Sequence, residues 1–181
     1  MKKIACVFTI FLFCLSLKAQ NAGVEKSIYN IQTGFLGIWI NNEYRLLNEF
    51  SLRSEIGFDG LINGCSSCDT KYGLTPVLIL EPRWYYNIAK RNLRNRGVNN
   101  SANFTAITFR YNPDWFIISN VENASIYDQI SIIPKWGLRR NIGSSNFNYE
   151  AGIGIGVRFY LNENLSETAA DLHLRIGYTF K

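Results

Sequence analysis

Histidine and methionine occur once each in the 181 residues, and proline four times. Charged residues make up 18%, below the roughly 25% of typical soluble domains. One histidine and four cysteines leave little for a metal centre. Long acidic or basic runs are also lacking, which excludes charged coiled coils and solvated tails. Helical 3.6-residue periodicity is scarcely visible. Beyond residue 17 there is no apolar run near the ~20 residues that a spanning helix needs. What is plentiful is aromatic: 12 Phe, 10 Tyr and 4 Trp.

The first apolar run reads as an address label. Met1-Lys2-Lys3 is basic, Ile4–Leu17 is apolar or small, and Lys18-Ala19-Gln20 follows. That order describes a secretory signal peptide over residues 1–19, with 20–181 as one domain. Cys14 is preceded by Phe11-Leu12-Phe13 rather than by small residues, which speaks against lipidation. Removing the leader takes Lys2, Lys3 and Lys18 and no acid, so the net charge falls from +5 to +2. A nucleic-acid binder needs a clustered basic face, and none is expected here.

The mature chain alternates with period 2, the strand period. Phe147, Tyr149, Ala151, Ile153, Ile155, Val157 and Phe159 share one face; Asn148, Glu150, Gly152, Gly154, Gly156 and Arg158 share the other. Leu172–Phe180 and Phe50–Asp59 do the same. Weaker alternation covers Ile28–Phe35, Ile38–Leu46, Leu74–Ile88, Phe104–Tyr111 and Gln129–Arg139. These spacings predict about eight antiparallel strands in a single up-and-down all-β barrel. Short links at Leu47–Glu49 and Arg140–Asn146 alternate with longer ones at Gly60–Gly73, Asn112–Asp128 and Leu161–Ala170; Ala89–Asn103 is longer and basic.

Alternation alone leaves open which face points inward. Gly57, Gly137, Gly152, Gly154, Gly156 and Gly177 all fall on the charged face. Glycine weakens a strand, and a solvated face offers no reason for it; a crowded interior does. The apolar face, rich in Leu, Ile and aromatics, then faces lipid. Pro76, Pro82 and Pro134 share that face and call for bulges or strand ends, because each lacks a ladder donor.

On these residues the chain resembles the small outer-membrane β-barrel proteins of Gram-negative bacteria. The closing stretch Leu172–Phe180 looks like their C-terminal assembly signal, and Ser51–Asp59, Glu81–Tyr86 and Trp136–Ile142 look like the same group. The resemblance implies a transmembrane β-barrel of the outer membrane. Its expected partners are outer-membrane lipid and, through the last strand, the assembly machinery. It implies an architecture and no activity.

The polar faces deliver Glu43, Glu55, Glu81, Glu150 and Asp171 against Arg45, Arg53, Arg83, Lys135, Arg139, Arg158 and Arg175, with His173 among them. An eight-strand barrel is just wide enough for side chains to fill, so these are expected to form an ion-pair plug. The tight turn at Leu47–Glu49 would set Leu46 opposite Phe50 and Glu43 opposite Arg53, a candidate pair. His173 has no serine as a same-face neighbour, which argues against a lipid-modifying enzyme. Neither catalysis nor a cofactor or metal is expected. Cys65 and Cys68, in a loop of an exported protein, suggest a disulfide staple. Lys90, Arg91, Arg94 and Arg96 form the one basic run, read as a solvated turn or as a contact for anionic head groups or peptidoglycan. The expected role is a structural or interaction platform with a loop partner left open. The alternatives are a lipid-modifying enzyme and a soluble calycin-like carrier of a small ligand.

Overall fold

The computed structural model describes residues 23–34, 37–63, 71–122, 124–163 and 165–180. The leader at 1–19 and the Cys65/Cys68 pair lie outside them. The chain is all-β: β1 (Ser27–Gly34), β2 (Gly37–Leu47), β3 (Phe50–Asn63), β4 (Lys71–Trp84), β5 (Asn103–Asn112), β6 (Ile118–Ser119), β7 (Gln129–Asn141), β8 (Phe147–Tyr160) and β9 (Leu165–Phe180). One short helix, α1 (Ile88–Asn92), and a 3-10 turn at Val98–Asn100 lie between β4 and β5.

Neighbouring strands pair antiparallel throughout, and β1 closes on β9 with Tyr29 opposite Phe180. Eight strands thus form a closed ring, and the two-residue β6 adds to β4 as a ninth. Closure leaves no sheet edge unpaired around the ring. Both described termini and the connections at 48–49, 85–102 and 142–146 lie at one end, the near end. The paired strand ends Gly34/Gly37, Asn63/Lys71, Asn112/Gln129 and Tyr160/Leu165 lie at the far end.

The alternation resolves into two environments. Outward residues are apolar and exposed: Ile153 is 61% exposed, Ile155 68% and Leu172 84%. Inward residues are polar and buried, Glu150 at 0% and Arg53 at 1%. This reverses the usual arrangement of a water-soluble domain. The inward glycines grant room to specific rings. A Cβ at Gly57 would lie 2.5 Å from the Trp39 ring and one at Gly137 would lie 2.5 Å from Phe104.

Three expectations are corrected. The prolines need no bulge. The β4–β5 ladder keeps one register but skips Glu81 and Pro82, and the β7–β8 ladder skips Ile133 and Pro134. Pro76 falls between the stretches of β4 that pair with β5 and with β6. Each ring nitrogen therefore sits where the ladder asks for no donor. Leu161–Ala170 is not a long link, because β8 and β9 stay paired out to Tyr160 and Leu165. Leu47, not Leu46, pairs with Phe50, and an irregularity between Arg45 and Leu47 absorbs the difference.

Candidate functional site: the charged interior and its two mouths

Within the described residues, the ring encloses six carboxylates, Glu43, Glu55, Asp59, Glu81, Glu150 and Asp171. Six cations pair with them: Arg53, Arg83, Arg110, Lys135, Arg139 and Arg175. The signs balance, as an interior withheld from water requires.

Glu150 of β8 is the hub. Arg53 of β3 donates two hydrogen bonds to it, at 3.0 and 3.1 Å, and Arg83 of β4 donates two more, at 2.7 and 3.0 Å. The two separate donors of Arg83, Nη1 and Nη2, fix both position and plane, whereas both Arg53 contacts come from Nη1. His173 Nε2 lies 3.2 Å from the same carboxylate. Arg53 is also bound to Glu55 and Gln32, and Glu55 receives Arg175 at 2.8 Å. Glu81 joins Arg83 and Lys135, each at 2.6 Å, and accepts from Thr108 at 2.5 Å. Lys135 continues to Asp171 at 3.1 Å. Two guanidiniums also lie on rings, Arg83 at 4.0 Å from Phe104 and Arg175 at 3.8 Å from Trp39, geometry that favours a cation–π contact.

Glu43 and Arg53 are opposite each other in the β2–β3 ladder, yet the ion pair expected between them is replaced. Glu43 lies 3.5 Å from Arg139 and 3.8 Å from Arg83, and accepts from Ser51 at 2.9 Å and Tyr85 at 3.2 Å. Long side chains inside a closed ring reach across the interior rather than along the ladder. Arg45 and Arg158 fall outside the network. Arg45 is half-buried beside the β2 irregularity and has no ion pair among the described residues. Arg158 pairs with its cross-strand neighbour Glu167 at 2.9 Å, where β8 and β9 run beyond the buried charges.

Sequence reasoning missed Asp59 and Arg110, which pair at 2.6 Å, and Trp39, which donates to Asp59 at 2.9 Å. Asp59 ends an alternating strand on its charged face, and Arg110 continues the Thr108 face of β5; both signals were present. With His173, Arg175 and Gln129 these residues line a far-end cavity of about 420 Å³.

The near end is closed by the β4–β5 connection. Tyr85, Ile88, Ala102 and Phe104 pack with Val24 as a small apolar cluster. Asn99 and Asn100 both have left-handed backbone, at φ 55° and 58°, a conformation asparagine tolerates better than most residues. This turn aims Asn100 Nδ2 at Glu43, 2.6 Å away, while Asn100 Oδ1 accepts from Glu25 N at 2.7 Å. The connection is thereby pinned to the charged interior.

Among the described residues no cluster of His, Cys, Asp and Glu is arranged to hold a metal. The polar side chains against His173 are Glu150, Lys135 and Asp171; among the described residues no hydroxyl or thiol is hydrogen-bonded to its ring. Comparison with protein-family models, curated proteins and solved structures gives no match for this chain.

Proposed function

We propose that the ring is a transmembrane β-barrel of a bacterial outer membrane, a structural or interaction platform whose lumen is filled by its own ion pairs and whose far-end loops meet the partner. The observation that carries the reading is the inverted distribution of side chains. Ile40, Ile56, Leu80, Ile107, Ile153 and Leu174 are exposed on the outer faces of their strands, an apolar face repeated around the ring where a soluble monomer shows isolated patches. Aromatic residues flank this aliphatic band. Toward the near end, Phe50 stacks on Trp84 at 6.0 Å and Phe147 meets Tyr178 at 5.1 Å. Toward the far end, Tyr127 meets Tyr160 at 5.9 Å and Phe58 meets Phe116 at 6.2 Å. Two aromatic girdles around an apolar belt are the pattern of outer-membrane barrels. The ring strands, 8 to 16 residues long, reach the ~9–11 needed to cross a bilayer in all but the first, which has eight.

The test is fractionation of cells making the full chain, followed by a denaturing gel run with and without boiling. The reading expects the protein in the outer-membrane fraction and a shift in mobility on boiling. Recovery in the soluble fraction without detergent would overturn it.

A further inference from the structure

The near end holds a second cavity, of about 470 Å³, between the β4–β5 connection and the 142–146 turn. Its charged lining is Arg91, Arg96 and Arg140. Every arginine of the inner network has a carboxylate; these three have none within ion-pair distance among the described residues. Arg91 and Arg140 are hydrogen-bonded instead to carbonyl, amide and hydroxyl oxygens, which carry no compensating charge. Arg91 donates to Ser101 O and, at 3.1 Å, to Arg96 O. Arg140 donates to Arg139 O at 2.7 Å and to Asn103 Oδ1 at 2.5 Å. These bonds hold the Arg91 and Arg140 guanidiniums in place before any ligand arrives, with Arg96 exposed beside them.

Burial first, and then the positive charges of Arg140 and Arg96, push the Arg91 pKa down. Arg91 is thus close enough to both other cations to be repelled by them, a cost that a bound anion would remove. Arg91 and Arg96 lie on the β4–β5 connection and Arg140 on β7. At Gly97 a Cβ would sit 1.8 Å from Asn92 Oδ1, so a larger residue after Arg96 would have to displace the Asn92 side chain. Neutral Asn99, Asn146 and Ser144 complete the wall.

We propose that this cavity binds a phosphate group through Arg91, Arg96 and Arg140. Several guanidiniums suit the multiple oxygens and charge of a phosphate better than they suit a lone carboxylate. The source is either free phosphate or a lipid head group. A chain of contacts leads outward to the near-end girdle: Asn103, which holds Arg140, donates to Tyr86 OH at 3.1 Å, and Trp136 donates to the same oxygen at 3.0 Å. If the ring crosses a membrane, the cavity sits at head-group height. Phosphate binding itself needs only the folded ring and does not depend on membrane insertion.

The experiment uses the full chain in phosphate-free maltoside micelles, following arginine Nε–Hε signals by NMR. Inorganic phosphate is titrated against sodium chloride of matched ionic strength. A second arm dopes the micelles with phosphatidic acid or with diacylglycerol of the same chains. The expected result is a saturable phosphate response that is roughly tenfold or more weaker in Arg91→Gln and in Arg140→Gln and unchanged in Arg158→Gln. Arg96→Gln replaces either pocket variant that loses its β-sheet spectrum. A response to phosphatidic acid but not diacylglycerol, saturating below the phosphate concentration, assigns the lipid source. A response to inorganic phosphate alone assigns the free ion. A wild-type response no larger than that to chloride, or equal responses in wild type and pocket variants, would overturn the proposal.

Discussion

At the scale of the residue, Glu150 decides most. Alone among the described residues, it joins Arg53 and Arg83, from strands on the other side of the ring, with His173 beside it. Removing one partner of a buried pair leaves the others charged and unpaired, a loss of about 3–5 kcal/mol. Glu150→Ala should cost that much in urea unfolding of the reconstituted protein, against much less for Arg158→Ala, whose partner Glu167 is 44% exposed. In double-mutant cycles, Arg53 and Glu150 should couple more strongly than the ladder neighbours Glu43 and Arg53. Asn100 offers a separate test. Its amide donates to Glu43, so Asn100→Asp sets two carboxylates against each other and should free the β4–β5 connection. Trypsin should then cut at Arg91–Arg96 about tenfold faster or more, given ~1–3 kcal/mol for a lost buried contact; an unchanged cutting rate would show that the connection is held elsewhere.

At the scale of the element, the glycines separate crowding from backbone strain. A Cβ at Gly57 of β3 would lie 2.3 Å from Ile38 O and 2.5 Å from Trp39. At Gly143 it would meet open space, but φ is +62°. Gly143→Ala should therefore cost only about 1–2 kcal/mol, and Gly57→Ala clearly more, both read as shifts in the unfolding midpoint. Strands β3, β8 and most of β9 were legible because strict alternation is what a two-sided wall demands. The first seven residues of β9 were not, since Leu165–Asp171 carries no regular apolar face. Backbone pairing to β8 and not burial makes it a strand. The helix α1 was equally hidden, five residues being too few to show a 3.6 period. The membership of the interior could be read from one face of each strand. Its pairing could not, because partners such as Arg53 and Glu150 stand 97 residues apart and meet only once the ring closes.

At the scale of the whole molecule, two properties follow from the same inversion. The interior is packed with neutralised charge, so the protein in a planar bilayer should show no steady conductance; a reproducible open channel would contradict the filled lumen. The outer surface, in turn, should meet hydrocarbon. Spin labels placed one at a time at 151, 153, 155, 157 and 158 of β8, in protein reconstituted into lipid vesicles, measure this directly through relaxation by oxygen and by a water-soluble nickel complex. Ala151, Ile153, Ile155 and Val157 share the outer face, and Arg158 is half-buried on the other. High oxygen and low nickel accessibility is expected at the four outer positions, with oxygen accessibility greatest near Ile155, and lower oxygen accessibility at 158. Outer positions as open to nickel as a soluble surface would contradict the inverted ring.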